Sequence, residues 1–176
     1  LGAVDGERYL VAEELWPSFL QALGADRAEP VTRFQGRSLE GVVCRHPFVE
    51  GRRSVVVLDT YVSLEQGTGC VHIAPGHGPE DFEIGKRYNL PVISPVDGKG
   101  YFTEEGGQFA GRFYLAANQD ILDELRNRRA ILKQETVTHQ YPHCWRCKNP
   151  VFFRATEQWF ASIDGFRDAL LAAVDR

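Results

Sequence analysis

Two histidines and a carboxylate set the chemistry open to this chain. His72, His77 and Asp81 all lie in Gly67-Thr68-Gly69-Cys70-Val71-His72-Ile73-Ala74-Pro75-Gly76-His77-Gly78-Pro79-Glu80-Asp81, a segment broken repeatedly by glycine. A carboxylate on such a loop can bind an ammonium group through charge-assisted hydrogen bonds. An imidazole there can donate a proton, accept one, or shape a pocket by its bulk. Plainer roles stand beside these: Glu80 and Asp81 suit a helix N-terminus, and His72 suits a satisfied core position. His77, at the apex between Gly76 and Gly78, reads either as a proton shuttle or as a simple loop residue.

A second chemical group sits near the C-terminus. Cys144 and Cys147 form C-x-x-C within His143-Cys144-Trp145-Arg146-Cys147. Two thiolates at this spacing grip one zinc ion from a tight knuckle, and a structural zinc site needs four ligands. No second C-x-x-C is present, so either His139 and His143 complete the set or the partner half lies elsewhere in a longer polypeptide. A redox pair fits less well, because the motif does not open a helix after a strand. Tyr141, Trp145, Trp159 and Phe160 stand among arginines, a composition that stacks bases or builds an aromatic mini-core. Cys44 and Cys70 lie in apolar, strand-like surroundings and read as small core residues.

The elements that must position these residues follow from local pattern. Asp5-Gly6 between short apolar runs predicts a hairpin over residues 1–12. Leu15, Trp16, Phe19, Leu20 and Leu23 have helical spacing over 13–23, with Pro17 in the first turn and Gly24 as the stop. Residues 30–45 read as an extended pair with turns at Gln35-Gly36 and Glu40-Gly41. Ser54-Val55-Val56-Val57-Leu58 is the most strand-like run, and its continuous apolarity predicts burial on both faces. A helix is expected over about 79–88, a short strand over 91–96, a turn at 97–100 and a loop tip at 104–107. A second helix is expected over 114–129, with Ile121, Leu122 and Leu125 on one face. A strand over 131–139 and an amphipathic helix over 165–174 complete the expectation. The fold class read from this order is a β-rich mixed α/β fold, a barrel-like sheet with flanking helices.

Bulk properties narrow the setting. The 176 residues suffice for one domain with an appendage, and 43% hydrophobic with 25% charged residues is ordinary for a soluble fold. No apolar run approaches the roughly 18 residues of a membrane span. Asp5 and Glu7 stand where a secretory leader would be basic, so a cytoplasmic setting is expected. The net charge of −4 gives no global attraction for nucleic acid, which leaves local clusters such as Arg126, Arg128, Arg129 and Lys133, or Arg146, Lys148 and Arg154.

Three ordered segments carry a resemblance. The glycine-rich segment resembles the G-T-G-x-V-H-x-A-P-G-H-G-x-x-D stretch of the isoleucyl-tRNA synthetase editing domain. Tyr141-Pro142-His143-Cys144-Trp145-Arg146-Cys147 and Arg154-Ala155-Thr156-Glu157-Gln158-Trp159-Phe160 resemble two later segments of the same family. The likeness to the isoleucine rather than the valine or leucine enzymes rests on His72, Gly78 and the Tyr-Pro-His-Cys-Trp stretch.

The resemblance implies a barrel-like editing domain over 1–138 and a C-terminal return segment over 139–176 that carries half of a zinc-ribbon knuckle. It implies hydrolysis of valine wrongly attached to the isoleucine tRNA, with the 3′ end of that tRNA and the remainder of the synthetase as partners. A monomer is expected. Asp81 would bind the substrate ammonium and His72 would line the side-chain pocket against isoleucine. Thr68, His77 and Trp159 would contact substrate. A positioned water would attack, with no cofactor for editing; zinc at Cys144 and Cys147 belongs to the longer enzyme. The family's upstream threonine-rich strand and the synthetic-site signatures find no match here, so the chain is expected to be a piece of a longer enzyme that cannot itself activate an amino acid.

Overall fold

The computed structural model describes residues 1–136 and 138–174. At the N-terminus β1 (Gly2–Val4) and β2 (Glu7–Tyr9) pair antiparallel with Val4 opposite Glu7. Asp5 and Gly6 both take positive φ, the geometry of a two-residue hairpin turn whose twist matches its strands. A third strand, β3 (Glu29–Pro30), joins the other side of β1, giving the order β2-β1-β3.

Between them runs α1 (Trp16–Leu23), entered through a 3-10 turn at Glu13–Leu15. Pro17 sits in its first turn, where a missing N–H costs nothing. Gly24 ends it in the left-handed conformation at φ 68°. Val11, Leu15 and Phe19 form the buried cluster beneath, with Tyr9, Ala12, Trp16 and Leu23 packed against it. Trp16 and Tyr9 flank Phe19 with ring centroids 5.5 and 5.4 Å away.

The next unit is a hairpin of β4 (Val43–Arg45) and β5 (Arg53–Val55), paired antiparallel with Cys44 opposite Ser54. Its bend is held by His46, whose Nδ1 accepts the N–H groups of Phe48 (3.3 Å) and Val49 (2.9 Å). The chain then passes through the glycine-rich loop into α2 (Pro79–Arg87). Pro79 opens that helix, Glu80 and Asp81 occupy its first turn, and Lys86 and Arg87 its last, each sign matched to the helix dipole. Ile84 and Gly85 are its buried positions.

Residues 95–113 form a compact turn unit. Asp97 Oδ1 accepts the N–H groups of Lys99 and Tyr101, and these bonds, Tyr101 first, hold the Asp97 carboxyl below its ordinary pKa. Single bridges link Val96 to Phe102 and Tyr101 to Phe113. Val96 and Phe109 are buried here, and Phe48 of the preceding hairpin meets the Phe109 ring edge-on at 5.6 Å. Then α3 (Tyr114–Asn127) follows, stitched by pairs such as Arg126 with Asp123 and Arg128 with Glu124. A short terminal helix, α4 (Arg167–Val174), is exposed throughout.

Several expectations need correction. The described strands form two small open sheets and close no barrel, so the fold is mixed α/β with little strand. Residues 30–45 do not pair with one another: Glu29–Pro30 adds to β1 and Val43–Arg45 pairs with Arg53–Val55. The apolar run at 54–58 contributes only its start to a strand, and that strand is exposed, because one partner strand covers neither face. Cys44 and Cys70 are both exposed rather than core residues: Cys44 lies on the exposed β4 strand and Cys70 in the glycine-rich loop. Residues 91–96 give a single bridge rather than a strand; Pro91 and Pro95 remove two ladder donors. The described residues of 131–139 form no strand, and Val137 lies outside the described residues. The loop tip at 104–107 belongs to a run of 3-10 turns over Glu104–Phe109.

Candidate functional site

The loop from Ala74 to Asp81 is closed by its own hydrogen bonds. Asp81 Oδ2 accepts the Ala74 N–H at 3.0 Å, and the Ala74 carbonyl accepts the His77 N–H at 2.8 Å. Both ends of the turn therefore meet at Ala74, two residues beyond His72. Gly78, the residue before α2, is in extended conformation and its carbonyl accepts the Phe82 N–H at 2.9 Å.

A second layer holds the loop from below. Gly76 is buried against the chain at Ile93 and Ser94; a Cβ there would lie 2.0 Å from the Ile93 carbonyl oxygen. Only glycine allows that approach. The Gly76 carbonyl accepts the Ala155 N–H at 2.8 Å, and His77 Nδ1 lies 3.0 Å from the Phe153 carbonyl. A carbonyl only accepts, so the His77 proton sits on Nδ1. The Phe152 ring lies 6.4 Å from His77 and 4.8 Å from Tyr114. The return segment thus clasps the loop apex. At its other end, the Thr68 carbonyl accepts the Ala12 N–H at 2.8 Å, which ties the loop to the N-terminal unit.

Each residue singled out in the sequence has a definite place. Asp81 is partly buried and engaged by Ala74. His72 is exposed. His77 is partly buried, with one ring nitrogen committed to the return segment. The Thr68 hydroxyl bonds locally, accepting the Cys70 N–H at 3.3 Å. Trp159 is fully exposed and packs against nothing, so the loop and this ring are not brought together. A cavity of about 560 Å³ is lined by residues such as Leu10, Trp16, Phe34 and Cys70, and neither His72 nor Asp81 lines it.

Two neighbours of the loop were not foreseen. Burial comes first, then the Asp81, Asp59 and Glu80 carboxylates, in holding the Tyr61 phenol above its ordinary pKa, so Tyr61 belongs beside Asp81. Burial, followed by the charges of Arg52 and His72, holds the His46 imidazole below its ordinary pKa, which puts His46 within electrostatic reach of His72. Neither carries a local signal. Tyr61 follows the Asp59-Thr60 turn, and His46 precedes a proline at the hairpin bend; only the fold brings them to the loop.

The Cys144–Cys147 segment folds as a tight knuckle. The Cys144 N–H donates to Asn149 (2.8 Å), the Cys144 carbonyl accepts from Lys148 (2.9 Å), and His143 bridges Pro150. The N–H groups of Cys147 and Arg146 point at the Cys144 sulfur and hold its thiol below the ordinary pKa. A lowered pKa at Cys144 favours the thiolate, the form in which a cysteine is nucleophilic and binds soft metals. Among the described residues no three His, Cys, Asp or Glu side chains gather as a metal group.

Comparison with known proteins agrees with the loop. The sequence profile described as "Leucyl-tRNA synthetase, editing domain" matches residues 25–135. The chain belongs to this editing-domain family. Similar proteins include the isoleucine–tRNA ligases of Desulforudis audaxviator (64% identical over 97% of this chain), Moorella thermoacetica (57% over 98%) and Desulforamulus reducens (55% over 99%). The chain spans only 18–19% of the length of these relatives. The glycine-rich loop thus lies within the matched editing-domain region, and the clasping residues 152–155 lie beyond it. No described helix is long and apolar enough to cross a membrane.

Proposed function

We propose that this editing domain hydrolyses the ester of valine wrongly joined to isoleucine tRNA. The chemical need is general: one methylene discriminates by only about 1–3 kcal/mol, so a second site must remove the smaller product. The observation that carries the reading is the Asp81–Ala74 bond. It uses Oδ2 and fixes the carboxylate at the mouth of the loop, leaving Oδ1 to take the α-ammonium of an aminoacyl group.

His72, exposed two residues before Ala74, is then free to line the side-chain pocket and to exclude the larger isoleucine. Water attacks the ester carbonyl; the acyl–oxygen bond breaks, freeing valine and the ribose hydroxyl of the tRNA. Thr68 supports the loop mouth, His77 acts from behind it, and Trp159 serves the placement of the tRNA end. The wider setting is a cytoplasmic, monomeric synthetase with residues 139–176 as the return segment of the editing domain. In that enzyme Cys144 and Cys147 would hold a structural zinc as half of a four-ligand site.

The test is a deacylation assay of this chain with Val-tRNA and Ile-tRNA of the isoleucine acceptor. Selective loss of valine is expected, and His72→Ala should let isoleucine through. Retained selectivity in the His72→Ala protein refutes the role given to His72.

A second reading has its own support. Trp159 and Phe160 are exposed at 102% and 91%, bare aromatic faces suited to base stacking. On that reading the piece docks tRNA without turnover, and salt-dependent binding with no hydrolysis would favour it.

A further inference from the structure

The β4–β5 hairpin carries a charge arrangement that its own stability does not explain. Arg45 stands directly opposite Arg53 in the antiparallel register, so both side chains leave the same face of the sheet. Like charges in directly opposed positions destabilise a strand pair. Both residues are exposed. Among the described residues neither they nor Arg52 takes part in an ion pair, although the chain carries 24 acidic residues against 20 basic ones. The pair next along that face is Val43 and Val55, exposed at 43% and 40%.

The hairpin is firmly built. Val56 donates to the Val42 carbonyl at 2.8 Å and Gly41 to the Val56 carbonyl at 2.9 Å, which continues the pairing beyond the strands. His46, the residue after Arg45, locks the bend and lies within electrostatic reach of His72. Arg128, just after α3 and ion-paired with Glu124, reaches the Pro47 carbonyl at 3.5 Å and braces the tip.

We propose that this hairpin face is a docking surface for an RNA phosphate backbone, with Arg45 and Arg53 clamping phosphates of a strand whose end enters the His72–Asp81 loop. The inference rests on the editing reading, since that reading supplies the RNA. Arginine meets phosphate as a planar fork of donors, and an opposed arginine pair is relieved by a polyanion with closely spaced charges. Val43 and Val55 give the flanking apolar surface a sugar edge can rest on. With net charge −4, attraction must be local, and this face offers two opposed arginines without ion-pair partners among the described residues.

The experiment measures binding of unacylated isoleucine tRNA to the 176-residue chain across a salt series. Variants are Arg45→Gln/Arg53→Gln, Arg45→Lys/Arg53→Lys, and Arg8→Gln on β2 as a remote control. The double Gln variant should bind about 10- to 30-fold more weakly near 0.1 M salt. Its slope of log K against log salt should fall by about 1.4, at about 0.7 for each single-strand phosphate that an arginine no longer neutralises. The Lys variant should keep the slope, and the control should change neither. Thermal unfolding should show the double Gln variant as stable as the parent or more so, because it removes a repulsion. A parent chain that binds tRNA while the double Gln variant binds equally, with the same slope, overturns the hairpin assignment alone. A weaker-binding variant that is also less stable overturns it too, since the arginines would then be structural. A parent chain with no salt-dependent tRNA binding overturns both this inference and its placement of the tRNA end.

Discussion

Asp81 and Ala74 close the candidate site: the carboxylate Oδ2 of one accepts the backbone N–H of the other at 3.0 Å across a seven-residue separation. This bond gives Asp81 two separable duties, holding the loop and presenting charge. Asp81→Asn keeps an acceptor for Ala74 and removes the charge, whereas Asp81→Ala removes both. Both variants should lose deacylation by at least about 100-fold, the scale of removing one electrostatic contact at a reacting centre. Only the Ala variant should loosen the loop, by about 1–3 kcal/mol, read as faster amide exchange at Ala74. An Asn variant with near-parent activity would show that charge at Asp81 is not needed.

The His77–Phe153 bond makes a geometric prediction. An asparagine amide nitrogen falls close to the position of an imidazole Nδ1, while a glutamine amide reaches further. His77→Asn should therefore keep most of the stability, and His77→Gln and His77→Ala should each lose about 1 kcal/mol. Chemical denaturation measures the difference, and amide exchange at Ala155 locates it. Equal damage from all three substitutions would mean that the Nδ1 bond to Phe153 contributes nothing.

Gly76→Ala should be among the most disruptive small substitutions in the chain. Its Cβ would sit 2.0 Å from the Ile93 carbonyl oxygen and 2.8 Å from the carbonyl carbon, both backbone atoms with little room to yield. Overpacking of this kind costs about 1–3 kcal/mol, and here it would displace the loop that carries Asp81. A denaturation midpoint unchanged from the parent would contradict this account of the Gly76 contact.

His46 predicts a pH response of defined sign. Burial and the charges of Arg52 and His72 put its folded pKa below the ordinary value near 6.5. The unfolded chain then binds the proton more readily than the folded one. Stability from this group is complete above the ordinary histidine range and is lost as pH falls through it toward the folded value. The structural cause is plain, since protonated Nδ1 cannot accept the Phe48 and Val49 N–H groups. The protection factor of the Val49 amide, taken relative to intrinsic exchange at each pH, should fall as pH drops from about 7 to about 5. His46→Asn, whose side-chain oxygen can still accept, should flatten that response.

Elements set by neighbours along the chain were legible before any fold was known. The Asp5-Gly6 turn, the Gly24 stop after α1, the opening of α2 at Pro79 and the Asp97 turn all depend on the backbone preferences of one or two residues, and the structure shows each of them. The loop carrying His72, His77 and Asp81 was legible as a chemical segment for the same reason: its glycines, histidines and carboxylate lie within fifteen consecutive residues.

What tertiary structure decided is pairing and exposure. The partner of β3 is β1 rather than a neighbour in its own run, and the apolar stretch beginning at Ser54 meets one partner strand and stays exposed. His77 meets Phe153 across 76 residues, and Tyr61 and His46 reach the loop from elsewhere in the chain. Local sequence states which residues favour a turn, a helix or a strand. Which surfaces meet depends on how distant segments share burial and hydrogen bonds, and no single segment encodes that sharing.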